Sequence, residues 1–138
     1  MLIILDANEY IFGLGARRER ACEQLLGVIV RRTGRIAVRI PRLIVNEVRR
    51  NLTPEAFKEF LALLTLLRTS IDEDNVVPFE LGIRYEAEGL KPADAFIAAY
   101  TEWVGVEWLI SENRHFLSRQ ADLPFRVLPA AQAIRLIS

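Results

Sequence analysis

The run Leu2-Ile3-Ile4-Leu5, followed at once by Asp6-Ala7-Asn8, constrains the fold of this chain more than any other stretch. Four aliphatic residues without polar alternation suit a strand covered on both faces, as at the centre of a parallel sheet. Asp6 then falls at the carboxyl end of that strand. In open α/β sheets the ligand crevice lies just outside those ends, so this carboxylate stands where chemistry is expected. An Asp at such a position also caps helices. Asp6 alone does not separate the two uses, and other acids must decide.

Downstream, helical and extended patterns alternate. Glu9 to Leu14 predicts a short helical turn broken by Gly13 and Gly15, and Arg17 to Arg32 predicts a helix burying Ala21, Leu25, Val28 and Ile29. Ile36 to Ile40 predicts a strand closed by Pro41, with a helix soon after that carries Leu43, Ile44, Glu47 and Val48. Thr53-Pro54-Glu55 is a helix start, a cap followed by Pro at the first helical position, and the helix extends to about Arg68. Its apolar positions (Phe57, Phe60, Leu61, Leu63, Leu64, Leu66, Leu67) exceed one core stripe, which suggests a partner or dimer contact or burial between layers. An acidic loop is expected over Asp72 to Asn75 and extended chain at Val76-Val77. Helices are expected over Phe79 to Gly89 and Lys91 to Val104, strands over Val106 to Ile110 and Phe125 to Leu128, and a last helix after Pro129. The alternation predicts a three-layer α/β domain with a mainly parallel central sheet.

At 138 residues the chain is expected to be one domain with a full core, 1–138. Cys22 is the only cysteine and is expected to act as a small core hydrophobe. No apolar run approaches the roughly 18 residues of a membrane span, and the amino terminus lacks the pattern of a secretory signal. A soluble, cytoplasmic protein is expected.

Formal net charge is zero, against a strongly basic nucleic-acid coat protein. The distribution is nevertheless polarised: Met1 to Asn51 carries ten Arg against five acids, whereas Leu52 to Ser138 carries eight basic residues against thirteen acids. The arginines 17, 18, 20, 31, 32, 35, 39, 42, 49 and 50 suit either a phosphate-tracking surface or solvated helix faces paired with acids elsewhere.

Four places offer acids or amides for chemistry: Asp6, Glu47, Asp94 and the pair Glu112-Asn113. Asp6 and Glu112 both follow strands and should share a sheet edge, while Glu47 and Asp94 lie in or at the start of helices able to pack beside it. Each has a plain alternative, such as favourable placement of Asp94 near a helix amino terminus or an exposed helical Glu47 among arginines. Together, with no Cys or His cluster, they suggest a hard-metal site for Mg²⁺ or Mn²⁺.

At these residues the chain resembles the PIN-domain family of metal-dependent ribonucleases, which includes the VapC toxins of toxin–antitoxin pairs. The carriers are Leu5-Asp6-Ala7-Asn8, Val45-Asn46-Glu47-Val48, Pro92-Ala93-Asp94-Ala95-Phe96-Ile97-Ala98-Ala99 and Leu109-Ile110-Ser111-Glu112-Asn113-Arg114-His115-Phe116. None is specific alone, and their order and spacing over nearly the whole chain carry the likeness. It implies an α/β/α PIN-like fold with Asp6, Glu47 and Asp94 as metal-binding catalytic acids and Asn8 and Ser111 as supporting polar groups. The last motif departs from the family pattern of Thr, any residue, Asp, any residue, Asp, Phe. Here Asn113 and His115 replace both aspartates, leaving Asn113 as a neutral oxygen ligand and Glu112, one position early, as a charged one.

The function so implied is metal-dependent endoribonuclease activity, with RNA as substrate and a cognate antitoxin and a second copy of the chain as partners. The helix from Thr53 to Arg68 is the candidate contact for homodimer or antitoxin. Loss of carboxylates weakens cation binding, so the alternative is a catalytically weakened or inactive RNA- or protein-binding module. A third possibility, a phosphotransferase with Asp6 as nucleophile, leaves the Asp94 helix motif unexplained.

Overall fold

The computed structural model describes residues 1–137. Its elements run β1 (Leu2–Leu5), α1 (Ala7–Leu14), α2 (Arg20–Arg31), β2 (Ala37–Pro41), α3 (Arg42–Asn51), α4 (Pro54–Leu66), β3 (Ile71–Asp72), α5 (Phe79–Ala87), α6 (Pro92–Val104), β4 (Trp108–Ile110), α7 (Arg114–Leu117), β5 (Arg126–Leu128) and α8 (Ala130–Ile137). The strands form a five-stranded sheet of order β3-β2-β1-β4-β5, with every neighbouring pair parallel. β1 is central, as its unbroken aliphatic composition requires, with Ile3, Ile4 and Leu5 at most 1% exposed.

From β1 the chain winds outward through β2 and β3, then crosses back to β4 on the other side of β1. Right-handed crossovers put α1 to α4 on one face and α5 and α6 on the other. The packing agrees: α1 contacts α2, α3 and α4, α8 returns to lie on α2, and α5 pairs with α6. The reversal of direction makes the carboxyl ends of β1 and β4 a topological switch point, where α/β sheets open a crevice.

Local chemistry sets the helix ends. Thr53 Oγ1 accepts from Ala56 N at 3.1 Å with Pro54 in the first turn of α4. Gly105 closes α6 at φ +76°, a left-handed conformation that any other residue adopts at a cost. On α4, Phe60 and Leu64 are buried, Phe57 and Leu63 are half-buried, and Leu61 and Leu66 face solvent at 40% and 59% exposure. Phe60 meets the Tyr10 ring edge-on at 5.0 Å, joining α4 to α1. Truncating such a fully buried aromatic typically costs about 3–5 kcal/mol. Gly13 lets α2 close on α1, because a Cβ there would stand 2.5 Å from Leu26 Cδ1.

The region after α4 differs from expectation. The third strand is Ile71–Asp72, pairing with Ile40 and Pro41, whereas Val76 belongs to a short 3-10 turn over Asp74–Val76 and not to extended chain. The acidic stretch is tied down by arginines from the first part of the chain. Arg39 donates to both Asp72 oxygens at 3.0 Å, Arg42 donates to Glu73 at 2.8 Å, and Leu43 N donates to Asp74 Oδ1 at 3.0 Å. With Arg18, which pairs with Glu23 at 2.6 Å, three of the polarised arginines are therefore paired with acids. Arg17, Arg20, Arg31, Arg32, Arg35, Arg49 and Arg50 form no ion pair among the described residues.

Candidate metal centre at the sheet switch point

Leu5 and Ile110 are register partners, so the residues that follow them, Asp6 and Ser111, emerge side by side. Asp6 N donates to Ile110 O at 2.9 Å, and Ser111 N donates to Leu128 O at 2.9 Å, fixing both turns to the sheet. Asp6 serves both of its expected uses. One oxygen, Oδ1, accepts from Ala7 N at 2.8 Å and caps α1, and the other accepts from the buried Ser111 hydroxyl at 2.7 Å.

Ser111 continues the chain of contacts. Its Oγ accepts from Asn113 N at 3.0 Å, and Asn113 Nδ2 donates to Asp94 Oδ1 at 3.2 Å. Asp94 stands in the first turn of α6, so its helix-end alternative is also met. The sequence Asp6, Ser111, Asn113, Asp94 is thus one continuous polar run across the switch point. Asn113 presents its amide nitrogen to Asp94, while its oxygen accepts from His115 N at 2.9 Å and caps α7.

Glu47 joins from α3 through charge and without a hydrogen bond to the others. Burial pushes its carboxyl above the ordinary value, the negative charges of Asp6 and Asp94 push the same way, and Arg50 opposes them. Asp6 is raised as well. Burial is the main cause, and Asp94 and Glu112 add to it against the lowering hydrogen bonds from Ser111 and Ala7. The three acids act on one another through charge and offer oxygen donors, the donor type that Mg²⁺ and Mn²⁺ take. They do not form a set of ligand atoms within 4.8 Å of one another; among the described residues Glu9, Cys22 and Glu112 do. Asn8 is half-buried in the first turn of α1, two residues after Asp6. His115 is exposed, and Phe116 beside it is fully buried.

Glu112 points elsewhere. One of its oxygens accepts from Ala130 N at 3.0 Å at the start of α8, and its carboxylate lies with Glu9 and Cys22. Glu9 is fully buried and was not singled out from the sequence. The signal available was positional: Glu9 occupies a core-facing place in α1 beside Tyr10 and Gly13, where an apolar residue belongs. Burial, reinforced by Glu112, pushes the Glu9 carboxyl up to about 10. Cys22 is buried as expected, and its thiol donates to Glu9 Oε1 at 3.4 Å. A separate cavity of about 660 Å³ opens between the Asp74–Val76 turn, α5 and the start of α6, and none of Asp6, Glu47 or Asp94 lines it.

Sheet order, layers and the switch point define an α/β/α fold of the PIN-like, VapC type. Two solved structures carry it. A chain of VapBC2 from Rickettsia felis, bound to a DNA fragment from their promoter, superposes with a TM-score of 0.62 at 17% identity, covering 94% of this chain and 98% of that one. A chain of FitAcB from Neisseria gonorrhoeae gives a TM-score of 0.63 at 16% identity, with the same coverage of 94% and 98%. By sequence, no family model and no curated protein matches.

Proposed function

We propose that the protein is a metal-dependent endoribonuclease acting as the toxin of a toxin–antitoxin pair in the cytoplasm. What supports this is the charge interaction among Asp6, Glu47 and Asp94 near the switch point, with no cation of the chain hydrogen-bonded to any of the three carboxylates among the described residues. These three would hold Mg²⁺ or Mn²⁺, with Asn113 beside Asp94 and Glu112 adding charge from behind Asp6. Bound there, the ion would supply a more acidic water and offset charge growing on a phosphate. The chain's own groups do the placing. Ser111 fixes the Asp6 carboxylate, Asn113 fixes Asp94, and Asn8 offers a further polar contact. Exposed Arg49 and Arg50, on the helix that carries Glu47, are suited to RNA phosphates, and an unpaired strand is the more accessible target. No helix among the described residues is long and apolar enough to cross a membrane.

The antitoxin partner rests on the likeness to VapBC2 and FitAcB. Exposed Leu61 and Leu66 of α4 are the proposed contact for it or for a second copy of this chain. One observation favours the alternative of a weakened or inactive binding module. Asn113 gives Asp94 an amide donor and brings no charge of its own. Cleavage of a mixed single-stranded RNA pool by wild type and Asp94→Asn, in Mg²⁺, Mn²⁺ and EDTA, separates the two. Cleavage by wild type alone, abolished by EDTA, supports the nuclease. Metal-independent RNA retention on a filter without cleavage supports the binding module.

A further inference from the structure

Beneath the switch point lies a second group of ligating atoms. Glu9 from α1, Cys22 from α2 and Glu112 from the turn after β4 bring one carboxylate oxygen, the sulfur and another carboxylate oxygen within 4.8 Å of one another. Glu9 is 0% exposed and Cys22 is 2% exposed, while Glu112 is half-buried. Glu9 Oε1 takes the Cys22 thiol, but Glu9 Oε2 has no hydrogen-bond partner. With its carboxyl pushed up to about 10, Glu9 holds a proton that it shares with Glu112, so two carboxyls meet with one proton between them and, among the described residues, no cation paired with either. A cation that displaced the shared proton and the thiol proton would meet all three groups at once.

We propose that Glu9, Cys22 and Glu112 form a binding site for a thiophilic divalent cation of the Zn²⁺ class, separate from the acids at the switch point. Donor chemistry sets the choice: a thiolate favours Zn²⁺ over Mg²⁺, and two carboxylates complete a three-ligand set with a fourth position open to water. Geometry permits it. Bond lengths of about 2.0 to 2.3 Å put tetrahedral donors roughly 3.3 to 3.8 Å apart, so side-chain rotation of about 1 to 1.5 Å closes the set. On binding, protons leave Cys22 Sγ and Glu9 for solvent, and the ion takes their place. The three ligands make the site net negative, and the amino terminus of α8, where Ala130 N already meets Glu112, offsets part of that charge. An ion there ties α1 and α2 to the turn that carries Ser111 and Asn113. It braces the switch point without entering it.

The test uses the full chain, stripped with EDTA and titrated with Co²⁺ alone. Cys22 is the only sulfur nucleophile in the chain, so a sulfur-to-cobalt charge-transfer band in the near ultraviolet can only come from it. The expected result is a band that saturates at one Co²⁺ per chain, whatever further Co²⁺ the switch-point acids take up, and that stoichiometric Zn²⁺ bleaches. Glu9→Gln, which keeps size and fold, should weaken binding by at least about tenfold, and Asp94→Asn should leave the band unchanged. Zn²⁺ should raise the melting temperature of wild type and not of Cys22→Ser. Co²⁺ uptake without the band, one ion per two chains, or unchanged affinity in Glu9→Gln would overturn the site. A band lost in Asp94→Asn would overturn its separateness.

Discussion

Two carboxylates on the sheet's carboxyl edge, Asp72 at the end of β3 and Asp6 after β1 with β2 between them, live in opposite surroundings. At Asp72, which ends β3, burial alone would raise the carboxyl, yet the bidentate Arg39 and the Tyr100 hydroxyl outweigh it and hold the group below its ordinary value. Arg39 also lies 5.8 Å over the Trp103 ring, which flanks the pair on its partly exposed side. At Asp6, which follows β1, burial dominates, the neighbouring charges are all acidic, and the carboxyl is raised. The first acid is matched by a cation from its own chain; the second lacks one. Electrostatics thus divides an acid matched by a cation of its own chain from one that is held by hydrogen bonds alone, although both sit at strand ends.

The contrast can be broken from either side. The largest effect is expected at the unmatched end: Asp94→Asn should lower metal-dependent RNA cleavage by about 100-fold or more, read as rate in Mn²⁺ against an EDTA blank. At the matched end, Asp72→Asn should leave the metal site intact but destabilise the fold. Arg39 remains 38% exposed and screening trims the pair, so a loss of about 1–2 kcal/mol is expected, seen in urea unfolding. Because the folded carboxyl is lowered, that stabilisation is present at neutral pH and fades as pH falls through the folded value.

Smaller effects sharpen the same comparison. Glu47 and Asp6 are raised, so without metal their contribution to stability falls as pH rises from their ordinary values of 4.5 and 3.8 toward the higher folded values. Glu47→Gln should therefore stabilise the EDTA-treated protein by about 0.5–1 kcal/mol in thermal melts, and should lose the Mg²⁺-induced rise seen in wild type. Asn113→Asp replaces the donor to Asp94 with a charge. It should lower the melting temperature in EDTA and tighten Mn²⁺ binding in calorimetry. If α4 is a self-contact, Leu66→Glu should shift light scattering toward monomer with the circular dichroism spectrum unchanged.

Most elements were legible because their causes are local. The aliphatic run marked β1, Thr53-Pro54 marked the start of α4, and Gly105 marked the end of α6, each through backbone chemistry within a few residues. The PIN-like fold followed from motif order, and the solved structures carry the same fold. Asp6 and Ser111 were legible together because parallel strands end at one edge. β3 was missed because a two-residue strand has no periodicity; it forms because Arg39 and Tyr100, 33 and 28 positions away, hold Asp72.

By itself, then, the sequence determined where strands end and which residue types reach the sheet's carboxyl edge, since alternation, caps and aliphatic runs act over a turn or less. Only the tertiary structure decided which acid meets a cation and which meets another acid. Arg39 reaches Asp72, Glu112 turns toward Glu9 and Cys22, and the Asn113 amide turns its nitrogen to Asp94. Those choices are set by crossovers and packing between distant segments, and charge interactions follow distance in space, to which spacing along the chain is no guide.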